Sequence, residues 1–225
     1  MRFYVVATPI GNLSDLTFRA KQILEEVDII VCEDTRQTKK LLQYYQIESQ
    51  LFSWHQHSSQ SATLKIIKWL QANKSIAYVV DAGTPAISDP GGRLVAEILS
   101  RLPDVEIVPI PGPSAVTAIL SVAGMPVDKF QFLGFIPHKK GRNKFIAKLK
   151  QADIVTVFYE SVHRINKLLS ELEQELPDRQ IVVGRELTKQ FESIYRGTAI
   201  EIKKKLAQDK CKGEFVIVVD KKDNN

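Results

Sequence analysis

Apolar and polar positions along this chain alternate between two rhythms. FYVVATP (3–9), DIIVCED (28–34), LFSWHQ (51–56), IAYVVDAG (76–83) and VEIVPIPG (105–112) are short apolar runs, most of them rich in β-branched residues, as buried strands are. Between them, residues 16–27, 35–45, 62–73, 92–102 and 113–124 repeat apolar side chains every three or four positions, which predicts amphipathic helices. Ser14 or Asp15 is the expected cap of the first helix, and Pro113 stands where a helix would start. Strands alternating with helices of about ten to fifteen residues predict βαβ units and a mostly parallel sheet.

GMPVDKF (124–130) breaks this rhythm and marks the expected boundary between a first domain, 1–123, and a second, 124–225. Strands are predicted at 130–137, 153–161, 180–187, within ESIYRGT and at 214–220, with helices in KFIAKLKQ, HRINKLLSELEQEL (163–176) and IEIKKKLAQ. Fewer helices per strand imply a mixed sheet, so the predicted fold class is α/β, two α/β domains in tandem. At 225 residues the chain suits one large domain or two of about 100. The opening MRFYVVATPIG reads as a first strand, because no small-residue cleavage site follows its short apolar run. No run approaches the ~20 apolar residues of a membrane span. Cys32 and Cys211 are expected as free thiols in a reducing compartment, the cytoplasm by default.

Charge sharpens the division. Residues 1–125 hold 11 basic and 12 acidic side chains, whereas 126–225 hold 20 and 14, a net of +6. That asymmetry points to a polyanionic partner for the second half, or equally to a solvated lysine-rich surface.

Chemistry is expected where strands end. ATPIGNLSDLT (7–17), CEDTR (32–36), DAGTPAISDPGG (81–92) and PIPGPSA (109–115) each follow a predicted strand and would open onto one edge of the sheet. Glycines there let a ligand approach the main chain, and prolines fix the path of the loop beforehand. No GxGxxG follows the first strand, and GxxxxGK[ST] and the GxSxG elbow are missing, as are the usual glycine-rich adenosyl loop of the common methyltransferase fold and a Cys–His nucleophile pair. His55 and His57 would share a strand face, but with no third ligand no metal is expected. Glu33 and Asp34 end a strand beside Arg36, and Asp81 sits where the fourth strand opens into its loop. Their plainer roles are a helix cap, an ion pair and a turn; Asp89, before Pro90, reads as turn chemistry.

The same segments, with FLGFIP, FYESVHR and GRELTKQFE, resemble the tetrapyrrole methylase superfamily, and more narrowly its branch that methylates small-subunit ribosomal RNA, from residue 4 to about 220. The resemblance implies S-adenosyl-L-methionine (SAM) as cofactor in a cleft between two α/β domains, 2′-O-methylation of a cytidine in 16S rRNA of the 30S subunit, and a homodimer. Two departures from the wider superfamily, ATPIGN for a GxGPG first loop and Gly83-Thr84-Pro85 for GDP, turn the substrate away from a tetrapyrrole; a small-molecule methylase is the alternative. By the resemblance, Pro9, Thr84, Ala86, Ile87, Ser114 and Ala115 line the cofactor from the first domain, and Phe158, Glu160, Gly184 and Glu214 from the second. A proton acceptor for the ribose hydroxyl is sought among Asp34, Glu33 and Asp81, in that order. RNA contacts fall to the basic segment 138–150, with Lys139, Lys140, Arg142 and Lys144, and to Arg164, Arg185 and Lys189.

Overall fold

A computed structural model describes residues 1–208 and 213–222; Cys211 lies outside the described residues. The chain forms two compact units, Met1–Ser114 and Ala115–Asn225. The last helix predicted for the first domain falls in the second unit, nine residues ahead of the boundary expected from the break in rhythm.

The first unit holds β1 (Arg2–Val6), α1 (Phe18–Glu26), β2 (Ile29–Cys32), α2 (Thr35–Tyr44), β3 (Gln50–Ser53), α3 (Gln60–Gln71), β4 (Ile76–Val79), α4 (Gly91–Arg101) and β5 (Glu106–Ile110). All strand pairs are parallel, in the order β3-β2-β4-β1-β5. Parallel strands between two helical layers are apolar on both faces, which is why IIVC and IAYV are continuous apolar runs and wholly buried. Alternate residues serve opposite layers. Ile30, Cys32, Ala77 and Val79 pack with Leu24, Leu41 and Leu42 of α1 and α2. Ile29, Val31, Ile76 and Tyr78 pack with Ile66, Leu70, Leu94 and Ile98 of α3 and α4.

From β1 the chain steps to β2 and β3 on one side, then returns to β4 and leaves for β5 on the other. β1 and β4 are therefore neighbours whose onward connections diverge, the crevice at which open α/β sheets bind ligands.

The second unit holds α5 (Ala115–Ser121), β6 (Phe130–Phe135), α6 (Arg142–Lys150), β7 (Val155–Ser161), α7 (Ile165–Glu175), β8 (Ile181–Arg185), β9 (Ser193–Gly197), α8 (Ala199–Leu206) and β10 (Glu214–Val219). Its sheet, β6-β7-β10-β8-β9, is mixed: β6 and β7 run parallel and the other pairs antiparallel. Ile146, Leu168, Leu169, Leu172 and Ile202 of α6–α8 cover one face through Phe158, Val183, Phe215 and Ile217. α5 lies on the other, where a Cβ on Gly184 would come within 2.8 Å of Ile119 Cδ1. No helix among the described residues is long and apolar enough to cross a membrane.

Three local expectations change. The cap of α1 is Thr17, whose hydroxyl accepts the Ala20 N–H at 3.1 Å; Ser14 and Asp15 instead belong to a single 3-10 turn, Leu13–Asp15, capped by Asn12. Pro113 stands two residues ahead of α5. β3 ends at Ser53, so His55 and His57 lie in the following loop, exposed, and do not share a strand face. Thr17→Ala is expected to lower the unfolding free energy by about 0.5–2 kcal/mol in urea titration. Ser14→Ala is expected to stay within about 0.5 kcal/mol.

Candidate active site

At the C-terminal edge of the first sheet, three of the loops singled out in the sequence are joined by hydrogen bonds to the main chain. Thr8 and Gly83 exchange two backbone hydrogen bonds, each 3.0 Å, so the loops after β1 and β4 form an isolated antiparallel bridge. The Thr8 hydroxyl donates to the Val80 carbonyl at 3.0 Å, and Ala7 N–H to the Ile110 carbonyl at 3.2 Å. The Thr84 hydroxyl reaches the Pro113 carbonyl at 3.0 Å and ties in the loop after β5. Gly83 has φ +84°, and a Cβ there would lie 3.3 Å from Ile10 Cγ2; the bridge needs both the backbone conformation and the empty space that glycine provides.

Beyond the bridge the fourth loop is strained. Ala86 and Ser88 have φ of 73° and 71°, left-handed values that cost a non-glycine residue roughly 1–2 kcal/mol each. Asp89 holds the conformation: its Oδ1 accepts the Ala86 N–H at 2.9 Å and the Gly91 N–H at 2.8 Å, which is the turn role read from the sequence. Ile87, between the strained residues, stays 41% exposed. Pro9 is buried, Thr84 and Ser114 are half-buried, and Ala86 is exposed.

The loop after β2 joins the same edge, because Asp34 N–H donates to Asp81 Oδ1 at 3.2 Å. The three carboxylates named as proton acceptors thus come together, but their environments differ. Asp34 caps α2 through the Arg36 N–H at 2.8 Å, and both its oxygens engage the Arg36 guanidinium, one at 2.7 Å. Those bonds hold its carboxyl down at about 2. Burial, then repulsion from Asp81 and Asp89, raises Glu33; partial desolvation raises Asp81 against the Asp34 N–H, which pulls it down. Asp34, first in order from the sequence, is therefore the poorest base of the three. The cap and ion pair beside Arg36 were read from the sequence for Glu33 and Asp34 together; what the sequence left open is which of the two Arg36 folds back to meet.

Tyr78, unremarkable in sequence, lies in the same neighbourhood. Its side chain is fully buried and its hydroxyl has no hydrogen-bond partner. Burial, then the charges of Asp89 and Glu33, keeps it from ionising.

In the second unit the structure corrects several assignments. Phe158 is a core side chain on the helix-covered face. Glu160 shares that face: Oε1 accepts the Ser161 N–H at 2.7 Å and pairs with Arg164 at 2.6 Å, while Oε2 faces Arg142 at 3.5 Å. Arg142, itself buried, also donates through Nε to both oxygens of Glu171 at 3.0 and 2.9 Å. Arg164 donates to the Ile136 carbonyl at 3.0 Å. Arg142 and Arg164 thus serve an interior ion cluster and are not free for RNA phosphates. Arg185 is buried in β8, and Lys189 bridges Glu186 and Glu214, each at 2.9 Å. Glu214 is exposed apart from that pair, Gly184 is packed beneath α5, and Ala115 opens α5 half-buried. Of the seven predicted RNA-contact residues, Lys139, Lys140 and Lys144 stand exposed. Arg142 escaped notice because its acidic partners, Glu160 and Glu171, lie 18 and 29 residues away; Arg164 stands only four residues from Glu160, a spacing that could have disclosed the pair.

Among the described residues no cluster of His, Cys, Asp and Glu could hold a metal ion. Cys32 is a buried free thiol whose ionisation burial disfavours.

Residues 2–203 match the family of Tetrapyrrole (Corrin/Porphyrin) Methylases. The chain is 45% identical to a Bacillus subtilis protein named ribosomal RNA small subunit methyltransferase I, over 98% of this chain and 75% of that one. It is 40% identical to a protein of the same name from Thermotoga maritima, over 99% of both chains. In fold it is similar to a diphthine synthase (TM-score 0.77, 16% identity, 99% of this chain and 90% of that one). It is also similar to a cobalt precorrin-4 methyltransferase (TM-score 0.73, 16% identity, 97% and 94%).

Two adjacent glycines test the loop geometry. A Cβ on Gly91 would lie 2.7 Å from Tyr78 Cε1 and 2.8 Å from Asp89 Oδ1, whereas one on Gly92 meets nothing closer than Ala86 Cβ at 3.6 Å. Gly91→Ala is expected to destabilise by about 1–3 kcal/mol in urea titration. Gly92→Ala, in the first turn of α4, is expected to be neutral or to stabilise by up to about 1 kcal/mol.

Proposed function

The chain belongs to the tetrapyrrole methylase family, and from that premise we propose that it is the SAM-dependent methyltransferase that modifies the ribose 2′-oxygen of a cytidine in 16S rRNA of the small ribosomal subunit. The observation that carries the reading is its likeness, at 40–45% identity over nearly its whole length, to proteins named for methylating that RNA. On the same reading it works in the cytoplasm as a homodimer.

The residues present fit SAM. The bridged loops offer main-chain groups whose path is already fixed, which lowers the ordering cost of binding. Ile87 supplies exposed apolar surface beside them, and Glu33, Asp81 and Asp89, whose charges face one another, give the edge negative charge suited to a cation. Pro9, Thr84, Ala86, Ile87 and Ser114 of the first unit would hold it. When bound, SAM supplies a methyl group on a positively charged sulfur.

The work left to the chain is placement and proton removal. Holding a hydroxyl in line can supply about 7–11 kcal/mol of the barrier. A ribose hydroxyl is a weak nucleophile at neutral pH, so a carboxylate that accepts its proton helps. We assign that role to Glu33. Its carboxyl is raised by burial and by its acidic neighbours, so it is the more basic for being crowded, whereas Asp81 already accepts the Asp34 N–H. Asp81 then acts on Glu33 through its charge.

SAM titration by calorimetry, followed by assay of tritiated methyl transfer to 30S subunits, naked 16S rRNA and a porphyrinogen, tests the function. Saturable binding with label in RNA is expected. Label in the porphyrinogen alone would overturn the reading in favour of a small-molecule methylase, and no SAM binding would overturn both. For the base, Glu33→Gln is expected to lower kcat by about 10²–10⁴-fold with SAM affinity close to wild type. A raised acid must lose its proton before it can accept one, so kcat should fall as pH drops through the Glu33 value. Asp81→Asn removes a charge that raises that value and should move the acidic limb to lower pH. Asp34→Asn, which keeps the cap, should leave kcat nearly unchanged; a loss as large as that of Glu33→Gln would refute the assignment.

A further inference from the structure

The open edge of the second sheet carries an unusual run of aromatic side chains. Phe130 and Phe135 of β6 are 43% and 56% exposed, and Phe132 and the β7 residue Tyr159 are half-buried between them. The Phe132 and Phe135 rings lie 5.0 and 5.3 Å from that of Tyr159, tilted 65° and 58°.

Regular strand alternation forbids this grouping. Residues three apart point to opposite faces, so Phe135 would turn from Phe132 toward the helix-covered core. A bulge between them prevents it: Phe132 pairs with Val157 and Phe135 with Tyr159, and Gly134 takes φ +65°. Bulges re-aim side chains at the cost of ladder hydrogen bonds. Here the bulge brings a large apolar ring out of a possible core position into solvent, which folding alone does not reward.

The chain that follows β6 states what the surface meets. Residues 137–150 contain six basic and no acidic side chains. Arg142 is consumed inside, but Lys139 and Lys140 are exposed and only four and five residues beyond Phe135, within about 17 Å along even a fully extended chain. A second copy of the same surface would oppose like charges. A single RNA strand carries phosphates for the lysines and flat bases for the rings, and stacking on exposed aromatics is how unpaired bases are held.

We propose that Phe135, supported by Tyr159 and Phe132, is a stacking site for an unpaired nucleobase of the RNA substrate, with Lys139 and Lys140 holding phosphates of the same strand. The site rests on the RNA reading above and adds a contact that sets how the strand is threaded. Because stacking is indifferent to base identity, it favours unpaired RNA over duplex of the same sequence.

The test is binding of a short, unstructured, fluorescein-labelled RNA to the full chain, read by anisotropy across a salt series, with oligomeric state followed by light scattering. Phe135→Ala is expected to weaken binding by roughly 5- to 150-fold while leaving the dependence of log K on log salt unchanged. Phe135→Trp should restore affinity. Lys139→Ala and Lys140→Ala should each reduce the salt slope by about one. If Phe135→Ala binds as wild type while the lysine variants lose slope, the stacking site falls and the RNA reading stands. If none of the variants alters binding, RNA does not pass this segment and the stacking site falls with its lysines, while failure of the unaltered chain to bind the RNA at all would overturn the reading on which they rest. If Phe135→Ala changes only the oligomeric state, the strip is a self-association face and the proposal is overturned.

Discussion

The pair of main-chain hydrogen bonds between Thr8 and Gly83 is the constraint on which the candidate site depends. β1 and β4 are neighbours whose connections leave in opposite directions, so their loops would diverge if nothing held them. The bridge holds them, and the hydroxyls of Thr8 and Thr84 extend the restraint to Val80, just past β4, and across to the loop after β5. Backbone groups are obligatory hydrogen-bonding partners, so loops satisfied in this way are fixed with few side chains, here Thr8, Thr84 and Asp89. Glu33 and Ile87 are not spent on these bonds. The strain at Ala86 and Ser88 fits the same account, because a left-handed turn that Asp89 must hold in place is costly unless its shape is used.

Much of the architecture was legible in the chain. Continuous apolar runs announced doubly covered parallel strands, which follows from which faces an element buries. The second sheet is mixed as expected, but not for the reason read from the chain: with α5 in the second unit, each unit has four α-helices to five strands among the described residues. Three of the four loops were legible because glycine and proline report backbone shape directly; the fourth, CEDTR, was marked only by its charges at a strand end. What escaped was settled by tertiary packing. The first helix takes its cap from Thr17, since Asn12 already closes the preceding turn. The unit boundary falls before α5 because Ile119 packs onto Gly184, a contact across 65 residues that no local break in rhythm discloses.

Charged side chains were legible in number but not in use. The excess of basic residues in the second half is real, yet Arg142 and Arg164 turn inward to neutralise Glu160, which would be costly to bury alone. Their network ties the start of the basic segment to the end of β7, so these arginines shape the lysine-bearing segment without offering charge themselves. Among the carboxylates the ordering likewise depends on geometry. Arg36 takes Asp34 out of contention, while burial, then the charges of Asp81 and Asp89, raises Glu33.

Backbone hydrogen exchange with and without SAM tests the central claim most directly. If the bridged loops grip the donor through their peptide groups, amides in residues 7–16 and 81–90 will gain protection when SAM saturates the protein, and the first sheet, already protected, will change little. Saturable SAM binding that leaves both loops exchanging at their free rates would contradict the account, wherever else protection appeared.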